Sequence, residues 1–472
     1  MQIGLYMLQL CTYRHLTIVL SVLFIGCVTD DDTGSSHFQS VLDSESSQGV
    51  QYVVDTDLDG VTFRIRKTLA EKIGTVGVIE WSTNIDASID NARIEFGTDD
   101  SYGAIAPVDL SSPGFRTLLL GLKGEREYHF RIVVESNGKE FTSRDETLVT
   151  GPVLNIPRPE VKMLQPEKSA GGYMVLSSYT GMSFTQNPMA LIIDADGELV
   201  WWYNASSLMD STKACMSYNG DYMAIVSSNN RGLNGSVEIV SLDHEDVRRF
   251  TQLKGASHDI TPIPGNGFAY LEFIPDGDLL ITHTCAKVME LNMDGSVREI
   301  LDTALVWGSE CHGNALRYSE TEGLFTVSDY EHSEIAAFDR DGNVAWVTKN
   351  DGIWEYQHGH QLLSDSLLLF NNGSAFSETN RQSYVLEFEF TDDNGGLNEI
   401  WRYSVDGLGT PTLGDVQRLP NGNTLVSYSN KAIIHEVDPN GSLVRTLDLG
   451  QTAFGYVVWR STLYGSPDDL KL

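Results

Sequence analysis

The feature that most constrains this chain is a unit that recurs beyond Gly171. An apolar strand carrying an acidic residue runs into an Asp-Gly or Asn-Gly turn, and a second strand with Trp or Val follows. Examples are Leu191-Ile-Ile-Asp-Ala-Asp-Gly-Glu-Leu-Val-Trp-Trp202, Val288-Met-Glu-Leu-Asn-Met-Asp-Gly-Ser-Val297, Ile335-Ala-Ala-Phe-Asp-Arg-Asp-Gly-Asn-Val-Ala-Trp346 and Ile434-His-Glu-Val-Asp-Pro-Asn-Gly-Ser-Leu-Val444. Self-similarity at a period of ~40–45 residues marks propeller blades, each too small to bury its own faces. Six blades are expected over residues 172–465, beginning near Gly172, Lys213, His258, His312, His358 and Gly414. Phe454-Gly-Tyr-Val-Val-Trp459 is expected to close the ring, because closure removes the edge strands of an open array.

Residues 60–151 alternate apolar and polar positions in short runs, as in Val61-Thr-Phe-Arg-Ile-Arg66, Gly77-Val-Ile-Glu-Trp81 and Tyr128-His-Phe-Arg-Ile-Val-Val134. A period of two implies sheets with one buried face. Trp81, and Leu122 followed by Tyr128, resemble the core tryptophan and tyrosine corner of a fibronectin type III domain. The expected fold is therefore all-β, a six-bladed propeller preceded by a fibronectin-like sandwich. Residues 152–171, with Pro152, Pro157, Pro159 and Pro166, form the expected linker.

At the N-terminus, Arg14 and His15 precede an apolar run from Leu16 to Gly26 that is too short to span a bilayer. Phe24-Ile25-Gly26-Cys27 resembles a bacterial lipobox, which implies that residues 1–26 are a signal peptide and that Cys27 is acylated. Residues 27–59, with Asp30, Asp31, Asp32 and several serines, form a solvated tether. The expected location is the cell envelope of a bacterium, with Val28 after the cysteine implying the outer membrane and a lipid anchor as the sole membrane contact. Cys215, Cys285 and Cys311 are then an odd set without a CxxC pair, so no disulfide framework or zinc ribbon is expected.

With 65 acidic and 32 basic residues the formal charge is −33, which repels phosphate backbones and argues against nucleic acid as a partner. Three histidines stand at one position of successive blades: His258-Asp259, His312-Gly-Asn314 and Gln357-His358-Gly-His360. Innermost strands line a propeller's channel, so a repeated position projects several side chains toward one axis. Imidazole serves as nucleophile, acid, base or metal ligand, and histidine alone does not choose among these. His244, His332 and His435 fall at surface or mid-blade positions; His283, in Thr282-His-Thr-Cys285, is ambiguous, with lining of the channel one of its readings.

His258-Asp259, His312-x-Asn314 with Ser328, Gln357-His358 before Leu368-Leu-Phe-Asn-Asn-Gly373, Ile400-Trp-Arg-Tyr403 and Arg418-Leu-Pro-Asn-Gly-Asn-Thr-Leu-Val426 recur in order. His435-Glu-Val437, Gly455-Tyr456 and Leu463-Tyr-Gly465 extend the series. This ordered set resembles the PAPS-independent arylsulfotransferases, exported bacterial enzymes with an N-terminal sandwich and a six-bladed propeller. The resemblance implies transfer of a sulfuryl group from an aryl sulfate to a phenol, with no cofactor and no metal, through a sulfated histidine. It assigns His358 as nucleophile, with His360 as rival, and His258, His312 and Asn314 as groups that hold sulfuryl oxygens and move protons.

Three positions depart from the family pattern. Tyr330 stands where an arginine is usual, Asn371 where an aspartate is usual, and Gly313 where a proline is usual. Tyr330 and Asn371 remain in the expected substrate site. A phenol cannot give sulfate the bidentate fork of a guanidinium, and Asp329 and Glu331 add negative charge. Two other readings stand beside the enzyme: a lipoprotein whose propeller binds a ligand or protein without turnover, and a Zn or Cu site formed by the converging imidazoles. Oligomeric state is open.

Overall fold

The computed structural model describes residues 53–56, 60–85, 88–178, 187–207, 209–228, 234–273, 285–350, 352–373, 382–391, 395–450 and 453–467. The expected signal peptide, Cys27, the part of the expected tether before Val53 and His283 lie outside the described residues.

Two antiparallel sheets open the described chain. Val53–Thr56, Thr62–Ala70, Ile73–Thr83 and Thr117–Leu119 form one; Gly103–Pro107, Asn91–Gly97, Glu127–Ser136 and Lys139–Thr142 form the other, with Glu146–Val149 also on Glu127–Ser136. The alternation turns Phe63, Ile65, Ile79, Trp81, Ile94, Phe96, Phe130 and Ile132 into one core between the sheets. The Lys123 amide donates to Tyr128 Oη at 2.8 Å, pinning the loop before the longest strand of the second sheet.

Six further antiparallel sheets follow. Five have their innermost strands at Asp210–Met216, Ala256–Ile263, Gly313–Ser319, His360–Leu362 and Asp415–Arg418, each continued outward by the next three strands in sequence. The first sheet is assembled differently: Tyr173–Ser177, Met189–Asp194 and Leu199–Asn204 receive their inner strand from Val458–Arg460 near the end of the chain. Each sheet packs on the next, as Val175 and Ile192 do with Met216 and Ile225. The first packs on the sixth through Met174, Leu176, Leu425 and Ile434. A second closure was not foreseen in the sequence: Glu160–Met163, inside the expected linker, pairs with Leu443–Asp448 at the outer edge of the sixth sheet.

The recurrent Asp-Gly unit is the turn between the two outer strands of a sheet. Asp194 Oδ1 accepts the amides of Asp196 and Glu198 at 3.0 and 2.8 Å, and Asp339 Oδ1 those of Asp341 and Asn343 at 2.9 Å each. Asp438 Oδ1 repeats the pattern with Asn440 and Ser442 at 3.0 and 2.8 Å. A carboxylate that satisfies two turn amides, followed by a glycine at positive φ, makes a tight reversal; Gly197, Gly342 and Gly441 have φ of 76°, 84° and 78°.

The sandwich rests on the ring. Thr75 Oγ1 donates to Val200 O at 2.7 Å, and Tyr464 Oη accepts from Leu120 N and donates to Leu118 O. His244 is buried beneath this contact against Trp201 and Tyr203, and His435 is buried in the sixth sheet against Tyr403, so neither lies at the surface. The cysteine expectation is also corrected. Cys285 and Cys311 form a disulfide, since the ends of the third and fourth sheets bring their Cα atoms to 4.7 Å; Cys215 is free and buried. Spacing gave no sign of this pair, because the approach is made by two sheets and not by a local motif.

Candidate active site

The site is built where innermost strands lose their regular pairing. Ala256–Ile263 shifts register between Ser257 and Ile260, and His258 adopts φ of 58° there. Gly313–Ser319 shifts between Gly313 and Ala315, around Asn314. Such bulges re-aim side chains that a straight strand would send into the sheet. At the first bulge they divide neighbours: His258 joins the other histidines, whereas Asp259 goes to an ion network on the axis.

The His258 ring lies 4.9 Å from that of His312 and 4.8 Å from Phe273. Its Nδ1 is 2.7 Å from Ser257 Oγ, which is 2.8 Å from Ser228 Oγ. Burial, aided by His358, lowers its pKa from 6.5 to about 4, so the ring is neutral at pH 7. His312 is placed by its own backbone, whose amide donates to Asp329 Oδ2 at 2.5 Å while its carbonyl accepts from Tyr330 N at 2.9 Å. Cys311, the residue before it, carries the disulfide to Cys285.

His358 sits in the loop leading to the fifth sheet. Gln357 Nε2 ties that loop to the fourth sheet through Ser328 Oγ, Asp329 O and Glu334 O at 2.9, 2.9 and 3.0 Å. His358 is 6 % exposed, and its Nδ1 lies 2.8 Å from Asn372 Oδ1 and 3.2 Å from Tyr356 O. Burial brings its pKa to about 4, against the opposing pull of those hydrogen bonds. Gly359 is required between the two histidines, because a Cβ there would stand 2.0 Å from Asp415 Oδ1.

His360 is not placed with His258, His312 and His358. Its Nε2 lies 2.9 Å from Thr326 Oγ1 and its Nδ1 3.3 Å from His358 O, so both nitrogens are taken up inside the fold. Asn314 is likewise a brace: its Nδ2 donates to Gln357 O at 2.7 Å, although its Oδ1 is buried without a hydrogen-bond partner among the described residues. Asn371, expected at the substrate, accepts the amides of Glu355 and Gly373 at 3.0 Å each and clamps the loop before His358. The neighbouring Asn372 is the one that meets His358.

Tyr330 does reach the site. Its ring stands edge-on to His312 at 5.8 Å and His358 at 5.7 Å and lies 4.7 Å from Tyr356. Burial raises its pKa, helped by Tyr356 and Glu331, which keeps the phenol neutral. The expected charge of Asp329 is spent elsewhere, on the His312 and His332 amides and on His332 Nδ1.

Adjoining the histidines, four buried charges cross the axis. Lys213 Nζ is 2.9 Å from Asp259 Oδ1, Arg317 pairs with Asp259 Oδ2, and Arg317 Nη2 is 2.8 Å from Asp415 Oδ1. The Tyr456 ring lies under both cations, and its Oη donates to Asn314 O at 2.6 Å. His360, Lys213, Arg317 and Asp415 border a cavity of about 160 Å³ to which His258, His312 and His358 do not contribute. Among the described residues no group of three His, Cys, Asp or Glu side chains is arranged to hold a metal, which leaves the Zn or Cu reading without a ligand set.

Residues 309–450, from the segment before His312 to the last outer strand, match the family model described as arylsulfotransferase (ASST). Over that segment the chain is similar to the arylsulfotransferases. No curated protein matches the sequence. Similar solved structures include the nidogen/laminin complex (12% identity, 61% of this chain and 97% of that chain, TM-score 0.43) and a β-propeller domain from Myceliophteria thermophila (13%, 64% and 90%, TM-score 0.40). A streptogramin B lyase is similar at 11% identity, over 61% of this chain and 87% of that chain, with TM-score 0.41.

Proposed function

We propose that the protein transfers a sulfuryl group from an aryl sulfate to a phenol through a sulfated His358, in a nucleotide-independent arylsulfotransferase reaction. The observation that carries this is the convergence of His258, His312 and His358 with Tyr330 on one side of the axial ion network, within the family's matched segment apart from His258. In the first half-reaction the lone pair of His358 forms an N–S bond as the S–O(aryl) bond breaks and its electron pair leaves on the phenolate. In the second, the acceptor oxygen forms the new O–S bond and the N–S pair returns to His358. The neutral His258 is suited to take the acceptor's proton and pass it to the departed phenolate or to water. Phe273, Tyr330 and Tyr356 supply aromatic surface for the rings of donor and acceptor.

The test is mass spectrometry of protein quenched at alkaline pH after exposure to a chromogenic aryl sulfate, since the sulfuryl–histidine bond is acid-labile. Wild type should gain one sulfuryl mass and His358→Ala none. A label that survives in His358→Ala and vanishes in His360→Ala would overturn the assignment. One observation favours the runner-up, a propeller that binds without turnover: the cations nearest the axis, Lys213 and Arg317, are committed to Asp259 and Asp415, and Tyr330 brings none. Convergent imidazoles with no labelling would support that reading.

The proposed architecture is a six-bladed propeller carrying a fibronectin-like sandwich, exported and held at the envelope by acylated Cys27. The Phe-Ile-Gly-Cys motif supports the anchor, and the Cys285–Cys311 bond suits an oxidising compartment. Membrane retention of a processed Cys27→Ala protein would count against the anchor.

A further inference from the structure

Asn372 is 6 % exposed and lies among groups that fix which way its amide points. Its Nδ2 is 2.8 Å from Thr410 O and 2.8 Å from Leu413 O, in the loop that joins the fifth sheet to the sixth. Both partners are backbone carbonyls, which only accept. The two amide hydrogens are therefore directed at them, and turning the amide over would set an oxygen against two oxygens. Oδ1 must then face His358 Nδ1, 2.8 Å away, and Tyr356 O approaches the same nitrogen at 3.2 Å. A ring nitrogen flanked by two acceptors carries the proton. A neutral imidazole has one such proton, so Nε2 is left with the lone pair.

We propose that Asn372 is a positioning residue that locks His358 as the Nδ1–H tautomer and so makes Nε2 the atom that meets an electrophilic sulfur. The lock itself stands on geometry alone; its catalytic consequence rests on the sulfuryl-transfer reading. The carbonyls of Thr410 and Leu413 act one step further out, holding the amide that holds the ring, and Thr410 is in turn bonded to Asn430 through its hydroxyl. The sixth sheet thereby sets the reactive atom of a residue in the fifth. The neutral state of His358 at pH 7 follows from its burial.

The experiment is long-range nitrogen NMR of full-length protein labelled with ¹⁵N-histidine at pH 7.5, with the His358 signals assigned by their absence from His358→Gln. Wild type should show a protonated Nδ1 and a bare Nε2. Asn372→Leu removes the acceptor, so part of the population should shift to Nε2–H and the rate of aryl sulfate labelling should fall about tenfold or more. Asn372→Asp keeps the acceptor facing Nδ1 and adds a charge, at the loss of the two bonds to Thr410 O and Leu413 O. It should preserve the tautomer, raise the imidazole pKa and move the acid limb of labelling up by about one pH unit or more, an effect a merely structural residue would not produce. A wild-type spectrum with Nε2 protonated overturns the proposal, as does an Asn372→Leu protein whose tautomer is unchanged. If neither Asn372 variant folds, the wild-type spectrum still decides. If the tautomers behave as described and nothing labels, the lock stands and the sulfuryl-transfer reading falls.

Discussion

Lys213 Nζ stands 2.9 Å from Asp259 Oδ1, with 2 % of the lysine side chain and none of the aspartate exposed. A buried pair adds little relative to an apolar replacement of both partners, but removing one partner leaves an uncompensated charge. Lys213→Met is therefore expected to cost ~3–5 kcal/mol, read as a shift in urea midpoint. An unchanged midpoint would mean that Asp259 is satisfied by Arg317 and the amides of Ile260 and Leu316 alone.

His360→Ala is expected to separate structure from chemistry. His360 braces Thr326 Oγ1 and borders the ion network, so its loss should destabilise the fold by ~1–3 kcal/mol while sulfuryl labelling at His358 persists. Labelling is counted per folded molecule, with the folded fraction taken from near-ultraviolet circular dichroism.

Reduction of Cys285–Cys311 should act on both stability and site. The bond closes a loop of 26 residues in sequence separation, for which ~3 kcal/mol is the usual scale. Cys311 adjoins His312, so labelling should slow as well. Cys215 serves as an internal control: burial pushes its thiol up to about 12, and native protein should resist alkylation there. A melting temperature that is the same with and without reductant would contradict the first expectation.

Tyr330→Arg is expected to speed labelling about tenfold or more, since a guanidinium adjoining His312 and His358 supplies donors to the transferring oxygens. Asp329 should not capture the new cation, being bonded to His312 and His332. Single-turnover kinetics of the variant against wild type decide this, and a slower variant would argue that the Tyr330 ring is itself part of substrate binding.

Acid should destabilise the protein in a defined window. Burial holds His244, His358 and His435 at a pKa of about 4 and His360 at about 3, against 6.5 when unfolded. Between pH 6.5 and those values the unfolded chain binds more protons than the native one, so stability falls as pH falls, by up to ~3–5 kcal/mol per group. Below the folded values these groups cost nothing further. His435→Phe should remove about one proton from the uptake, seen as a shallower slope of unfolding free energy between pH 6 and 4.5, with labelling unaffected.

Much of this was legible because turn chemistry is local. Asp194, Asp339 and Asp438 write the outer turns into the sequence, and blade-equivalent spacing puts His258, His312 and His358 near one axis. What escaped depends on direction and long range. Asn371 and Asn372 are adjacent, and only the loop carbonyls of Thr410 and Leu413 determine which of them turns to His358. Tyr330 could be placed at the site, but the engagement of Asp329 by the His312 and His332 amides could not. The Cys285–Cys311 bond and the pairing of Glu160–Met163 with the sixth sheet join segments that no nearby motif links.

The two closures of the ring carry a consequence for synthesis. The inner edge of Tyr173–Ser177 pairs with Val458–Arg460, made nearly three hundred residues later. A ribosome-bound chain therefore carries an unpaired, apolar inner edge through most of translation, and Glu160–Met163 waits almost as long for Leu443–Asp448. The axial ion network shares this fate, since Tyr456 lies under both of its cations. Such a chain is committed late, and a translocation machine that accepts only unfolded substrates would meet it while the ring is still open.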